Sequence, residues 1–260
     1  MEYEMITYAK EDGIATITLN RPKQLNALNH QTFDEMYDAL ADAASDPEAR
    51  VLVLKGAGRA FSAGDDLKGM GKSSCRIGSD ALSAQLQGPP GMIKTLRGFL
   101  KPVIAQLHGY ALGGAFEVAL GADLIVAAED ARLGIPYVQR GLASGTYSLL
   151  MAAGYRKACE ILFLGDWISG KEAERIGLVN KAVPAEELDD AVAEWAGRLA
   201  KGATMSIAYM KQSMNASPVF DWEIGLTLQT LIEKPISNSE DAREGIRAFM
   251  EKREPEFKGR

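Results

Sequence analysis

The chain has 260 residues, a length that accommodates one large domain or one domain with an appended unit. Hydrophobic residues make up 47% of the sequence and charged residues 25%, and the net charge of −6 argues against a nucleic-acid-binding surface, which is usually basic. Two cysteines without a Cys-x-x-Cys pair indicate neither a disulfide framework nor a zinc site.

No apolar stretch reaches the ~18 residues that a membrane span needs, and Met1–Lys10 lacks the pattern of a secretory leader. We therefore expect a cytoplasmic protein, with a mitochondrial form whose transit peptide has been removed as the alternative, and no membrane or nucleic-acid partner. We also expect no metal site and no tightly bound cofactor, since His30 and His108 lie far apart in the sequence and nothing pairs them with ligand-like spacing.

The N-terminal part of the chain predicts two strands, a helix and a third strand. Met5–Ala9 and Ile14–Leu19 flank a turn, and the second of them alternates in the manner of a half-buried strand. His30–Ser45 carries apolar residues at helical spacing and ends before Pro47. Val51–Lys55 is strand-like, and the uninterrupted apolar run Val51–Leu54 within it is typical of a strand buried on both faces.

The middle of the chain alternates strands and helices around one long irregular segment. Met92–Leu100 predicts a short helix, and Pro102–Leu107 and Asp123–Ala128 predict buried strands, so we expect an α/β core with a parallel sheet. Gly69–Gly91 predicts a loop, and its length and position suggest a lid over a neighbouring site.

The second half of the chain predicts mainly helices. We place the change from the mixed core to the helical part near residue 197, with a core at 1–197 and a C-terminal helical assembly region at 198–260. The predicted helices are Tyr147–Leu164, Lys171–Ile176, Ala185–Lys201, Thr204–Ala216, Asp221–Glu233 and Ser239–Glu251.

One stretch has the composition of an anion-binding or oxyanion-binding junction. In His108–Asp123 the pair Gly113-Gly114 opens an apolar helix that carries one acid, Glu117. Glycines at such a junction expose backbone N–H groups, and Glu117 lies almost one turn further on the same face. The alternative is a packing turn in which Glu117 only complements the helix dipole. A dinucleotide site is not indicated, because no G-x-G-x-x-G pattern is present.

A second segment, Arg59–Leu67 (RAFSAGDDL), follows the third predicted strand. Together the two segments resemble the signature pair of the enoyl-CoA hydratase/isomerase (crotonase) superfamily. The resemblance extends over nearly the whole chain. Its other matching segments are Gly13–Pro22, Leu25–Leu28, Gly165–Ala173, Gly177–Asn180 and Phe249–Arg260.

The resemblance implies a crotonase-like spiral of ββα units, followed by a C-terminal helical trimerisation region, with assembly as a homotrimer or a dimer of trimers. It implies a coenzyme A thioester substrate. The thioester oxygen would accept hydrogen bonds from the backbone N–H groups of Asp65 and Gly114. Asp65 departs from the family, where a small residue such as alanine is frequent. A carboxylate beside a developing enolate would repel it, so we expect the Asp65 side chain to face away, for example capping Leu67 or Lys68.

Glu117 matches the first of the two catalytic glutamates of the family's hydratases. The second is absent, because Tyr137 follows Pro136 where the glutamate would stand, and no acid occurs from Ala131 to Cys159. We favour an enoyl-CoA hydratase in which Glu117 serves alone, over an isomerase, which needs the second glutamate. An acyl-CoA decarboxylase or other lyase that uses Tyr137, a catalytically impaired acyl-CoA binder and a structural trimer remain alternatives.

The resemblance also implies contacts with the coenzyme A part of the substrate. The adenine would lie near Ala63, Asp66 and Leu67, with Lys23 near the nucleotide end. Phe249 and Lys252 would approach from a neighbouring subunit. Lys23 and Lys252 are equally consistent with ordinary surface charges.

Overall fold

A computed structural model describes residues 3–66, 88–216 and 222–260 of the chain. The strands are β1 (Ile6–Glu11), β2 (Ile14–Leu19), β3 (Val51–Gly56), β4 (Val103–Leu107), β5 (Tyr110–Leu112), β6 (Leu124–Ala128), β7 (Arg132–Gly134), β8 (Ile168–Ser169) and β9 (Lys181–Val183). The α-helices are α1 (His30–Ser45), α2 (Pro89–Gly98), α3 (Gly114–Ala119), α4 (Thr146–Leu164), α5 (Gly170–Arg175), α6 (Leu188–Ala200), α7 (Thr204–Ala216), α8 (Trp222–Glu233) and α9 (Glu240–Glu251).

The main sheet has the strand order β1-β2-β3-β4-β6-β9. Strands β1 and β2 form an antiparallel hairpin, and every later neighbour pairs in parallel. All five residues of β4 are buried, and its one polar residue, Gln106, donates its side-chain amide to Asp189 Oδ1 at 2.7 Å. The predicted α/β core with a parallel sheet is confirmed.

Helix α1 covers one face of this sheet and begins and ends at the predicted residues. Asn29 caps it, because its side chain accepts the Thr32 N–H while the Thr32 hydroxyl accepts the Asn29 N–H. Phe33, Met36 and Leu40 recur at helical spacing and are buried in the core. The sequence pattern therefore sets both the bounds and the buried face of this helix.

A smaller sheet, in the order β5-β7-β8, contains the first part of the glycine-containing stretch His108–Asp123 as β5. It stands close to the loop after β3 because Gly109 has a φ of +58° and no side chain; an ideal Cβ there would lie 2.0 Å from the Arg59 carbonyl oxygen. Beyond this contact Ser62 pairs with Ala111. The two segments singled out in the sequence thus run side by side.

The second half of the chain is helical as predicted, although α4 is interrupted at Gly154, whose φ is +72°. A partly buried ion pair joins α7 to the residue that precedes β6, since Lys211 Nζ lies 2.7 Å from Asp123 Oδ2. The boundary between 1–197 and 198–260 stays a prediction. The predicted lid at Gly69–Gly91 lies outside the described residues, except for Gly88, which precedes α2, and Pro89, Pro90 and Gly91, which begin it.

Within the described ranges, none of the helices is both long and apolar enough to cross a membrane. The same ranges contain no cluster of three or more histidine, cysteine, aspartate or glutamate side chains arranged to hold a metal ion.

Candidate active site

The site is built where the Ser62–Asp65 segment meets the end of β5. The Leu112 N–H donates to the Ser62 carbonyl, and Gly64, with a φ of +97°, lies so close that an ideal Cβ would be 2.6 Å from the Leu112 carbonyl oxygen. A bridge between Leu28 and Asp65 holds the other side of the segment. These contacts bring Asp65 and Gly114 together, although they lie far apart in the sequence.

Asn26 fixes the turn that leads into this segment. It is buried with a φ of +54°, and its side-chain amide donates to the carbonyl oxygens of Ala57 and Ala60 at 2.8 Å each. The Ser62 hydroxyl returns a hydrogen bond to the Asn26 carbonyl. In the sequence, Asn26 belongs to the family-like segment Leu25–Leu28, and no local pattern indicates that it supports the site.

The Asp65 side chain faces into the site, so the expectation that it faces away is wrong. Its Oδ2 accepts the Gly114 N–H at 3.3 Å and the Tyr137 hydroxyl at 2.6 Å. The physical reason is that these two donors offset the loss of hydration of the carboxylate. The capping positions suggested for it, Leu67 and Lys68, lie outside the described residues.

Tyr137 lies in the 3₁₀ turn Pro136–Arg140 and is half-buried beside both acids. Burial, followed by the charge of Asp65 and its hydrogen bond, raises the pKa of the Tyr137 phenol far above its ordinary value. The phenol therefore stays protonated at neutral pH and acts as a hydrogen-bond donor rather than a base.

Glu117 is the buried acid of the site, with a residue exposure of 3%. Ser144 donates its hydroxyl to Oε2 at 3.0 Å, whereas Oε1 has no partner among the residues that the structure describes. Burial raises the pKa of Glu117 to about 6; the hydrogen bond from Ser144 opposes that rise and the charge of Asp65 adds to it. A carboxyl with this pKa exchanges protons readily near neutral pH.

Ser144 was not singled out in the sequence. The signal that could have found it is the adjoining Gly145, which has a φ of +75° and packs so closely that an ideal Cβ would lie 2.5 Å from Ile135 Cδ1 and 3.3 Å from Glu117 Cδ. A glycine that is required for close approach marks a turn folded tightly against another segment. That turn places the Ser144 hydroxyl within hydrogen-bond distance of Glu117.

A cavity of about 90 Å³ opens beside Asp65 and Tyr137. Gly113, Ala63 and Trp167 also contribute to its wall. A larger cavity of about 510 Å³ lies among the charged side chains at the C-terminus, where ion pairs such as Arg253–Glu244 occupy the polar groups. The smaller cavity therefore provides the better candidate for a reaction site.

Among the residues predicted to contact coenzyme A, Ala63 and Asp66 are half-buried, whereas Lys23, Phe249 and Lys252 are exposed. Asp66 forms an ion pair with Arg21 at 3.0 Å, a partner that the sequence did not suggest. Lys23 is exposed in the turn Pro22–Gln24, and Phe249 and Lys252 are exposed at the end of α9. Of the predicted set, Ala63 lines the cavity beside Asp65, and Leu67 lies outside the described residues.

Known proteins resemble this chain over nearly its whole length. The sequence profile of the family described as enoyl-CoA hydratase/isomerase matches residues 9–260. A crotonyl-CoA hydratase of Syntrophomonas wolfei is 35% identical over 263 residues, and a probable enoyl-CoA hydratase of Bacillus subtilis is 34% identical over 258 residues; the alignments cover 99% and 98% of each chain.

The crystal structure of an enoyl-CoA hydratase subunit from Geobacillus kaustophilus matches this structure with a TM-score of 0.89 at 35% identity and covers 100% of both chains. The predicted crotonase-like fold is confirmed by this likeness. Because the profile covers almost the whole sequence and the relatives match over their full length, the chain belongs to the enoyl-CoA hydratase/isomerase family.

Proposed function

We propose that the protein is an enoyl-CoA hydratase, which adds water across the 2,3 double bond of an enoyl-CoA thioester. The observation that carries this proposal is the state of Glu117: it is buried, oriented by Ser144 through one oxygen, and has its other oxygen without a described partner. The hydratase names of the relatives at 34% and 35% identity support the same reaction.

In this proposal the thioester oxygen accepts hydrogen bonds from the backbone N–H groups of Asp65 and Gly114. Two donors aimed at that oxygen stabilise the negative charge that develops on it when water attacks the double bond. The Gly114 N–H already donates to an oxygen, that of the Asp65 carboxylate, which supports its role as a hydrogen-bond donor in the site.

Glu117 then serves as the acid and base of the reaction. Its carboxylate takes a proton from the attacking water, and the carboxylic acid that results returns a proton to the carbon next to the thioester. Both half-steps need a group that changes protonation readily, which a pKa of about 6 supports. Since Tyr137 replaces the second glutamate of the family's hydratases, Glu117 performs both steps.

Coenzyme A is proposed to lie along the contacts implied by the family resemblance. Ala63 is closest to the cavity among them, and Asp66 with Leu67 would adjoin the adenine, with Lys23 near the phosphates. Phe249, which is 85% exposed, and Lys252 would reach the substrate bound by a neighbouring subunit. This arrangement requires the homotrimer, or the dimer of trimers, that we propose as the assembled form.

An acyl-CoA decarboxylase or other lyase is the second candidate, because a phenol lies beside the two acids. The hydratase is favoured since the Tyr137 hydroxyl already donates to Asp65 and its raised pKa prevents it from acting as a base.

The first test is hydration of crotonyl-CoA, monitored through the loss of its conjugated absorbance. The second test is calorimetric titration with acetoacetyl-CoA and with free coenzyme A. We expect turnover, and acetoacetyl-CoA should bind at least as tightly as free coenzyme A. Preferential thioester binding without turnover would favour the impaired binder, and the absence of any thioester preference would contradict the oxyanion assignment.

A further inference from the structure

Two acceptors compete for one donor in this site. The Gly114 N–H donates to Asp65 Oδ2 at 3.3 Å, while the proposed reaction requires the same N–H for the thioester oxygen. A single backbone hydrogen makes one well-aligned bond to one acceptor. The carboxylate also packs directly against Gly114, because an ideal Cβ on that residue would lie 2.6 Å from Oδ1 and 2.9 Å from Oδ2. The two acceptors therefore exclude each other at this donor.

The two hydrogen bonds of the carboxylate differ in length. The bond from Gly114 exceeds the usual 2.9–3.0 Å of N–H···O contacts, whereas the bond from the Tyr137 hydroxyl, at 2.6 Å, is at the short end for O–H···O⁻ contacts. Tyr137 holds the carboxylate, and the contact with Gly114 is the weaker of the two. An exchange at Gly114 thus breaks the weaker bond.

We propose that the Asp65 carboxylate is an internal occupant of the Gly114 donor position, held there by Tyr137, and that the oxygen of an acyl thioester displaces it on binding. This inference rests on the proposed function, because it assigns the displaced donor to the thioester oxygen. It makes Asp65 a determinant of specificity through its side chain as well as its backbone.

The site should therefore discriminate between ligands by whether they contain a hydrogen-bond acceptor for the Gly114 N–H. Free coenzyme A has no carbonyl to replace the carboxylate, so its binding leaves Asp65 in place. The oxygen of a thioester must compete with the carboxylate for the Gly114 N–H. This competition lowers the net affinity of the protein for the thioester. Removing the carboxylate should therefore strengthen thioester binding and leave coenzyme A binding unchanged.

The experiment compares the wild type with Asp65→Ala, which keeps the backbone N–H, and with Asp65→Asn, which keeps an acceptor but removes the charge. Asp34→Ala, an exposed acid on α1, is the control that changes the net charge equally. Calorimetry gives the ratio of the dissociation constant of free coenzyme A to that of acetoacetyl-CoA for each protein, and circular dichroism checks that each is folded.

We expect Asp65→Ala to raise this ratio roughly threefold to tenfold, the range that one net hydrogen bond spans, with a smaller rise for Asp65→Asn and none for the control. Tyr137→Phe, which removes the stronger bond, should raise the ratio as well and provides a second variant if Asp65→Ala does not fold. A ratio that is unchanged or lowered in the folded variants would overturn the proposal.

Crotonyl-CoA hydration by the wild type separates the two hypotheses. Hydration without any rise in the ratio would overturn the internal occupant alone and leave the hydratase function intact. A rise in the ratio without hydration would support the occupant and contradict the hydratase.

Discussion

The Ser144 hydroxyl donates a 3.0 Å hydrogen bond to Oε2 of Glu117, which lies 27 residues earlier in the chain. The bond orients a buried carboxyl, and it leaves Oε1 for a water molecule or the substrate. A buried acid with one oxygen held and the other unoccupied by a described residue is suited to proton transfer in a fixed direction.

Replacing Glu117 with glutamine should remove proton transfer while preserving size and hydrogen bonding. We expect Glu117→Gln to lower kcat for crotonyl-CoA hydration by roughly 10²–10⁴, the usual contribution of general acid–base catalysis, with little change in coenzyme A affinity. Steady-state kinetics and calorimetry measure the two quantities. Glu186→Gln, at an exposed position before α6, is the matched control and should retain wild-type kcat; a Glu117→Gln enzyme of normal activity would exclude the proposed mechanism.

The same variant should be more stable than the wild type at neutral and higher pH. Since burial raises the folded-state pKa of Glu117 from 4.5 to about 6, its contribution to stability is fully present below pH 4.5 and is lost as pH rises through about 6. The loss amounts to about 2 kcal/mol, at 1.36 kcal/mol for each pKa unit. Glutamine does not titrate and escapes this loss.

Chemical denaturation at about pH 4 and about pH 8 tests this linkage. The free energy of unfolding of Glu117→Gln, relative to wild type, should be higher at the upper pH. An equal difference at both values would show that the carboxyl is not destabilised by burial. Glu186→Gln should show no such pH dependence, because that side chain is exposed.

Tyr137→Phe should reduce kcat much less than Glu117→Gln does. The phenol only orients Asp65 in the proposed mechanism, and its raised pKa keeps it from transferring a proton as a base. Parallel kinetics of the two variants on crotonyl-CoA decide the order. If Tyr137→Phe is the severe change and Glu117→Gln the mild one, the hydratase mechanism is refuted and a decarboxylase or other lyase takes its place.

Gly114→Ala should disable the oxyanion site while leaving the fold intact. The added Cβ would lie 2.6 Å from Asp65 Oδ1 and 2.7 Å from Pro89 Cγ, so the donor and its surroundings must shift. Loss of one oxyanion donor lowers kcat by about 10²–10³ in other enzymes, and we expect a similar reduction here. Gly197→Ala, where an added Cβ meets no atom within 4 Å, is the control; near-normal turnover by Gly114→Ala would contradict the role of this N–H.

The isolated chain leaves large apolar side chains exposed on its C-terminal helices, including Ile246 at 64%, Phe249 at 85% and Met250 at 77%. Contiguous apolar surface of this kind usually contacts a partner, so sedimentation should detect a trimer or a hexamer. Ile246→Asp should shift the distribution toward smaller species, whereas Asp190→Asn on α6 should not. A monomer at micromolar concentration would remove the proposed contacts of Phe249 and Lys252 with a neighbouring substrate.

The sequence by itself determined the local elements of this protein. Apolar periodicity and the following Asp46-Pro47 sufficed for α1, whose predicted bounds His30–Ser45 are those of the structure, and the apolar run Val51–Leu54 sufficed for a buried strand. Gly114 and Glu117 were identified together because they lie three residues apart on one helix. In each case the deciding interactions are between residues close in the chain.

Only the tertiary structure decided how the side chains of the site are oriented. The prediction that Asp65 faces away rested on the repulsion between its carboxylate and an enolate. In the structure, hydrogen bonds from Gly114 and Tyr137, 49 and 72 residues away, hold the carboxylate inward. Ser144 likewise acquires its role through a tight turn at Gly145 that brings it to Glu117. Such orientations depend on hydrogen-bond partners supplied by distant segments, and no local periodicity encodes them.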